Sequence, residues 1–507
     1  MFVAEAEVPS DARGIRAFLN RPFWVVAAGI TALLFTCAFT PVNTDLGWML
    51  RFGADAVRLG ELPRENFQSF TEPHHPVFMP EWATCVCLYL LHRLGGGTAL
   101  IFTKWFFAAL TIGVLAVTAR SATPSRIAQL LAVLGASQFL WIGFELVRAQ
   151  MVTFALLAIF LWAALDTRRW TLWLCVPLMA IWVNSHGGFL AGWGVLLAVC
   201  VARGLEEHRG WAPPTRPLRD YALVPALSFA ALLLNPYGPS LLSSTLAHAR
   251  DPSRFLIREW VPLWEWALLS SAERTAAAIL AGTLLFCALF MPPRQLRWWA
   301  LWAMTLVVTP GAVRHLRLAP ILLLPVLAAA LALALQKAKG ERLEKFAAPL
   351  AVGAATVCGL AFASMLPHTV HLSDTNLPSP ANAIAVLKLN GLSGNIWNDY
   401  DWGGLLQWAA PESKVACDGR HGLAYSNELL RANMYLPAEP LELLTHYRAD
   451  FALLLPGEPA TAALAKQWTV LFCDADACLL SGRPEHRGDF VNTLRIPDEP
   501  LKPSTFF

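Results

Sequence analysis

Two arginines in the stretch TPGAVRHLRLAP, Arg314 and Arg317, stand where an apolar run begins. A guanidinium presents a charged, planar donor fork that grips phosphate through two hydrogen bonds at once. Positive charge at the mouth of a membrane span is costly unless an anion holds it, and a lipid phosphate fits that need. Arg51 is a weaker candidate for the same role. Other polar residues gather at the ends of apolar runs: Asp45 in VNTDLGWML, Glu145 and Arg148 in FELVRAQ, Asn184 and His186 in WVNSHGGF, Asn235 and Tyr237 in LNPYG. Glu81, His74 and His75 lie in the loop that Asp45 opens. Groups of this kind close to a bilayer are functional candidates by default.

Each also has a plainer reading. NPYG and NSHGG terminate helices, because Pro and Gly stop them and Asn caps them. Glu145 and Arg148 are spaced i, i+3 and can neutralise each other. Asp45 can serve as a helix cap, and two adjacent histidines in a Pro-flanked loop are ordinarily just exposed. Singly these readings suffice for most of the residues; for a set gathered at one end of the spans they are poorer.

The elements that must position these groups follow from composition. The 507 residues are 56% hydrophobic and 15% charged, with mean hydropathy +0.47, whereas a soluble chain carries about a quarter charged residues. The deficit is uneven. Apolar runs of roughly 17 to 22 residues, the length that crosses a bilayer core, recur up to position 366. The rest reads as soluble sequence. The expected organisation is a cytoplasmic N-terminus (1–22), a transmembrane module (23–366) and an extracytoplasmic α/β domain (367–507). Eleven spans are expected: 23–40, 98–118, 126–146, 149–167, 170–184, 188–204, 220–236, 274–292, 296–312, 315–335 and 345–366. The first is read as a retained helix rather than a cleaved signal peptide.

Lys and Arg in short connections mark the cytoplasmic side. Arg13, Arg16 and Arg21 precede the first span. Every second connection after it is basic: Arg120; Arg168 and Arg169; Arg203, Arg209, Arg216 and Arg219; Arg294 and Arg297; Lys337, Lys339, Arg342 and Lys345. The alternation holds only if 81–94 does not cross. That segment is short and carries Glu81, His92 and Arg93, which suits an interfacial helix; counting it as a twelfth span is the second reading. Loops 41–97 and 237–273 and the tail then face outward. A net charge of +3 and the lack of basic clusters interleaved with aromatics argue against nucleic acid. Seven of the ten cysteines are scattered through the apolar part and read as packing residues.

One arrangement in this pattern resembles a known family. A first span runs into an outward loop opening with Asp45, followed by an interfacial helix. The His-Pro stretch EPHHPVFMPEW comes next, then a second interfacial helix ending in HRLGGG, then the second span. This resembles the GT-C superfamily of polyprenyl-phosphate-sugar-dependent glycosyltransferases, in a bacterial branch similar to protein mannosyltransferases and lipopolysaccharide-core transferases. RAQM, NSHGGF, NPYG and REW, with NDYDWGG and DGR in the tail, extend the likeness over nearly the whole chain. The resemblance implies a GT-C-like helical bundle in a bacterial inner (plasma) membrane. It implies inverting transfer of a hexosyl or pentosyl group from a polyprenyl-phosphate donor to a glycan, lipid or protein acceptor. Asp45 matches the loop-one Asp that acts as catalytic base or metal ligand. Arg314, Arg317 or a divalent cation, Mg or Mn, would stabilise the departing lipid phosphate, and His74 and His75 would help to bind acceptor or metal. The chain departs from many relatives in one respect. Where they carry an adjacent acidic pair, Asp45 is followed by Leu46, Gly47 and Trp48, so a second carboxylate must come from Asp55, Glu72 or Glu81.

In the tail, strand-like runs (NIWND, KVACD, DFALLL, TVLFC, CLLSG) alternate with helix-like ones (SPANAIAVLKL, LELLTHY, TAALAKQW), which predicts a small α/β domain. It has no phosphate loop, nucleophile elbow or zinc spacing. Cys473 and Cys478 flank DADA and can face each other across a hairpin, as a disulfide if the tail is outside. Asn398, Asp399, Asp401, Asp418 and Arg420 are candidates for an acceptor-facing surface. Two other functions stay open. A flippase or transporter for a lipid-linked substrate would show inverted repeats and broken midplane helices; the sequence shows no such repeat, and its polar groups cluster at one face instead. A non-catalytic scaffold for envelope assembly would need no site. The enzyme reading requires Asp45 to face a cavity that is shared with Arg314 or Arg317 and opens laterally to lipid.

Overall fold

A computed structural model of the chain describes residue 21 and residues 23–507, apart from 252, 253, 256 and 376. Arg13 and Arg16, two of the residues that orient the first span, lie outside the described residues. The helical part contains α1 (Phe23–Thr36), α2 (Thr44–Leu59), α3 (Trp82–Ala122), α4 (Arg126–Leu140), α5 (Gln150–Leu165), α6 (Arg169–Trp173) and α7 (Cys175–Val183). It continues through α8 (Phe189–His208), α9 (Asp220–Ala231), α10 (Pro239–Arg250), α11 (Ser271–Phe290), α12 (Leu296–Val308), α13 (Ala319–Lys337) and α14 (Glu344–Thr369). Among the described residues, six helical stretches are long and apolar enough to cross a membrane: Trp82–Ala122, Arg126–Gly143, Phe189–His208, Ser271–Phe290, Val313–Lys337 and Glu344–Thr369. Shorter apolar helices occupy the remaining expected spans. The chain is thus a multi-pass membrane protein. On α11 and α14, large apolar side chains such as Leu285, Leu289, Val357 and Leu360 are more than 60% exposed, the surface that hydrocarbon rather than protein covers.

α3 is two helices in sequence. Its path breaks at Gly95 (φ −153°, ψ 23°) and Gly96 (φ 57°, ψ −151°), conformations that suit residues without a Cβ. The amphipathic stretch from Trp82 to Leu94 is therefore set at an angle to the span that follows it. The break is tied to the tail, since the Phe507 carbonyl accepts from the Gly97 amide at 3.0 Å and lies 2.8 Å from His92 Nε2.

The tail folds as an α/β domain around a five-stranded sheet. Its strands are β1 (Asn395–Asn398), β2 (Lys414–Val415), β3 (Phe451–Leu454), β4 (Thr469–Cys473) and β5 (Cys478–Ser481), in the order β2-β1-β3-β5-β4. β2, β1 and β3 are parallel, while β5 runs antiparallel to both of its neighbours. Cys473 and Cys478 pair in register across the β4–β5 hairpin and form a disulfide. Between them Asp474 Oδ1 accepts the Asp476 and Ala477 amides, so the acidic run is a turn. Helices α15 (Ala381–Leu389), α16 (Gly403–Ala409) and α17 (Asn427–Met434) pack around the sheet.

This domain is joined to the first loop along a broad seam. Residues 68–70 extend the sheet edge: Val415 N–H donates to Gln68 O at 3.1 Å and Phe70 N–H to Val415 O at 3.2 Å. Asn66 donates to the Ala424 carbonyl at 2.9 Å, and Glu72 accepts the Ser426 amide at 2.7 Å at the start of α17. α2 and α16 meet backbone to backbone, because a Cβ on Gly47 would collide with the Gly404 carbonyl and one on Gly404 with that of Thr44. The buried Asp418 and Arg420 brace this seam: Arg420 pairs with Asp418 at 2.6 Å and donates to Asn66 at 2.9 Å.

Candidate functional site

Where the seam meets the helix ends, a cavity of about 1180 Å³ opens. Asp45, Glu81, Arg148, His186, Arg314 and Arg317 line it from the helical part. Asn398, Asp399, Tyr400 and Asp401, at the carboxyl end of β1, face them from the domain. Residues from 45 to 401 in the sequence thus converge on one space.

Local sequence explains how Asp45 comes to face it. Asn43 caps α2, its Oδ1 accepting the amides of Asp45 and Leu46 at 3.0 Å each, so the capping role considered for Asp45 is already filled. The Asp45 carboxylate is instead held by Trp48, whose indole N–H donates at 3.0 Å, and by Arg148 at 2.9 Å. Gly419 lies against this carboxylate, and a Cβ there would strike it. Arg148 also reaches Glu259 at 3.1 Å, and Glu259 in turn pairs with Arg314 at 3.2 Å. The Arg314 guanidinium lies 4.4 Å over the Trp260 ring, a cation–π arrangement that fixes its plane. Arg317 has a neutral partner, Gln150, at 3.3 Å. The result is a chain of alternating charge, Asp45–Arg148–Glu259–Arg314, with Arg317 beside it.

Burial and these neighbours set the protonation states. Burial raises Glu259, but Arg314 and Arg148 outweigh it and hold the carboxyl at about 2. Glu81 goes the other way: burial and the nearby Asp45 charge push it up to about 7. On the facing wall burial, with Asp399 and Asp45, pushes Asp401 to about 6. His186 is lowered to about 3 by burial and Arg314, and so stays neutral. Its Nδ1 accepts the Gly188 amide at 3.0 Å and lies 2.8 Å from the Thr153 hydroxyl. An accepting Nδ1 leaves the ring proton on Nε2, so His186 is a neutral donor.

Several residues singled out from the sequence lie outside the cavity. Arg51 pairs with Asp55 at 3.0 Å, which removes it from any phosphate. His74 is 86% exposed beside Glu65, and His75 is half-buried with its Nδ1 3.0 Å from the Pro76 carbonyl oxygen. Glu145 does not pair with Arg148, which turns to Asp45 and Glu259 instead. Asn184 is a tie between helices, accepting from Trp82 at 2.8 Å and donating to the Ala180 and Leu234 carbonyls at 2.7 and 2.8 Å. Asn235 closes the NPYG turn by accepting the Tyr237 amide at 2.8 Å, and the Tyr237 ring packs against Phe78 and Arg64. For these two the plain reading of a helix terminator describes the geometry. In the other direction, Glu259, Trp260 and Gln150 line the cavity without having been singled out as site residues; REW and RAQM drew attention only as phrases. Among the described residues no three His, Cys, Asp or Glu side chains converge to hold a metal ion.

The helical bundle, with its first long loop sealed to a C-terminal α/β domain, shares its fold with solved structures. Among solved structures, ArnT from Cupriavidus metallidurans bound to undecaprenyl phosphate aligns with TM-score 0.51 at 14% identity, over 94% of this chain and 99% of its own. The same protein in the apo state aligns with TM-score 0.51 at 15% identity, over 94% and 100%. The apo oligosaccharyltransferase of Archaeoglobus fulgidus aligns with TM-score 0.53 at 11% identity, over 85% of this chain and 69% of that one. No protein-family model and no curated protein sequence matches the chain.

Proposed function

We propose that this protein is a membrane glycosyltransferase that moves a sugar from a polyprenyl-phosphate donor to an acceptor on the outer face of a bacterial inner membrane. The observation that carries the reading is the convergence of Asp45, Arg148, Arg314 and Arg317 on one cavity at the ends of apolar helices. A lipid-linked anion needs such a place, with cations for its phosphate and hydrocarbon beside it for its tail. The likeness to ArnT, solved with undecaprenyl phosphate, supports the same donor class.

In the proposed reaction an acceptor hydroxyl, on a glycan, lipid or protein, attacks the anomeric carbon. As that C–O bond forms, the bond to the phosphate oxygen breaks and the electron pair leaves with polyprenyl phosphate, inverting the anomeric centre. Asp45 takes the hydroxyl proton, its orientation fixed by Trp48 and Arg148. Glu81, titrating near neutrality beside it, is placed to pass the proton on. Arg314 and Arg317 stabilise the charge that grows on the leaving phosphate, and His186 adds a neutral N–H donor.

Purified protein incubated with a panel of polyprenyl-phosphate sugars is expected to release or transfer sugar. Asp45→Asn is expected to lower that rate by roughly 10²–10⁴-fold with an unchanged unfolding midpoint. A mutant rate equal to wild type would remove Asp45 from the chemistry.

A further inference from the structure

Glu259 is an awkward residue for a phosphate site. It brings a permanent negative charge into the cavity where the donor phosphate is proposed to bind, and it spends that charge on two of the six arginines that line it. Its two oxygens are shared out: Oε2 takes Arg148 Nη1 at 3.1 Å and Oε1 takes Arg314 Nη1 at 3.2 Å. One guanidinium per oxygen is also how a phosphate would be gripped from two sides. The group is built to stay charged, since the two arginines hold it at about 2.

We propose, on the basis of the glycosyltransferase reading, that Glu259 is an internal stand-in for the lipid phosphate: it holds the seat between Arg148 and Arg314 and competes with polyprenyl phosphate for them. The donor is a phosphodiester with a single negative charge, which Arg317 and the outer side of Arg314 can meet while Glu259 stays in place. Arg317 is suited to first contact, because its partner Gln150 is neutral and it makes no ion pair among the described residues. The product is a phosphate monoester carrying about −1.5 to −2 charges at neutral pH, so it draws on Arg148 and Arg314 more strongly and meets Glu259 as a rival. The carboxylate therefore weakens product binding more than donor binding and promotes release. Only a side-chain rotation is needed. The backbone beside Glu259 is pinned, with Val313 N–H donating to Val261 O and Leu263 N–H to Pro310 O at 2.9 Å each, whereas the Glu259 side chain is 26% exposed to the cavity.

The test is titration of a short-chain polyprenyl phosphate into the full-length protein in detergent, followed calorimetrically, with multiple-turnover kinetics alongside. Removing the charge in Glu259→Gln is expected to tighten binding of the lipid phosphate by roughly tenfold, from loss of a like charge at close range in a partly screened site. kcat is expected to fall and product inhibition to deepen in the same variant. Arg314→Gln should lose binding, and Glu65→Gln, which removes an exposed charge elsewhere, should leave it unchanged. If Glu259→Gln is not recovered folded, Glu259→Asp, which draws the charge back by one methylene, is expected to move affinity in the same direction by less. Equal or weaker binding in the folded Glu259 variants, with wild type binding and Arg314→Gln failing, overturns the stand-in role and leaves the glycosyltransferase reading intact. No uptake by wild type, and no effect of Arg314→Gln, overturns both.

Discussion

α8 has 20 residues, so its ends lie about 30 Å apart, and an arginine–carboxylate network sits at each. Beyond its first turn lie His186 and the cavity with Asp45, Arg148, Glu259 and Arg314. At its last turns Arg203 pairs with Glu207 at 3.5 Å, Glu206 with Arg297 at 2.9 Å, and nearby Arg169 with Asp220 at 2.6 Å. The residue types are the same and the surroundings are not. Arg203, Glu206, Glu207 and Asp220 are at most 2% exposed at the side chain. Arg203 spends further donors on the carbonyls of Ala164, Leu165 and Asp166, and Tyr221 donates to Glu207 at 2.6 Å. That network fastens α5, α8 and α9 together and leaves no room for a ligand. In the cavity the corresponding side chains are 17–26% exposed. Paired charges become a site when space is left beside them.

The contrast can be broken most sharply by removing one arginine from each network. Arg203→Leu leaves Glu207 buried without its cation, and a loss of about 3–5 kcal/mol in stability is expected, read as a lower unfolding midpoint. Arg314→Leu is expected to cost about 1 kcal/mol, since its partner can turn toward water, while donor turnover collapses. Equal destabilisation by the two substitutions would show that the cavity network is structural after all.

A smaller effect sharpens the picture of the cavity itself. The folded state raises Glu81 from 4.5 to about 7, so between those values the folded protein binds more protons than the unfolded chain. Its contribution to stability is complete below about pH 4.5 and is lost as pH rises through 7, on the order of 3 kcal/mol. Glu81→Gln should therefore flatten the fall in unfolding midpoint between pH 5 and 8, as followed by differential scanning in buffers of matched ionic strength. The smallest expectation concerns the two histidines outside the cavity: His74→Ala with His75→Ala should leave rate and midpoint where they are. A tenfold rate loss there would place acceptor binding on the outer rim.

Much of this was legible from residue types. Apolar runs announce a bundle, and polar residues at their ends announce where to look, because a bilayer tolerates neither error. Arg314 and Arg317 are three apart and reach the cavity together. Arg51 shows the limit. It follows Asp45 by six positions, about 240° around the helix, so the face that carries Asp45 to the cavity carries Arg51 away, into the reach of Asp55. Glu259 was hidden for another reason: it lies in a loop without periodicity, and its partners are more than fifty residues away in either direction. In the tail the strands were plain from their alternation, whereas α16 was not. DWGGLLQWA opens with the glycines that helices normally avoid, and those glycines are there for the contact with Gly47, which only the folded chain reveals.

That contact bears on how the protein is made. The loop carrying Asp45 leaves the ribosome early, while the segments that seat it come 358 residues later, as in the bond from Asn66 to Ala424. At about 5–20 residues per second, the half-built site waits tens of seconds in the membrane with its sheet edge and its Gly47 face uncovered. A product stalled before these segments would therefore carry every span and still lack the wall of the cavity that they build.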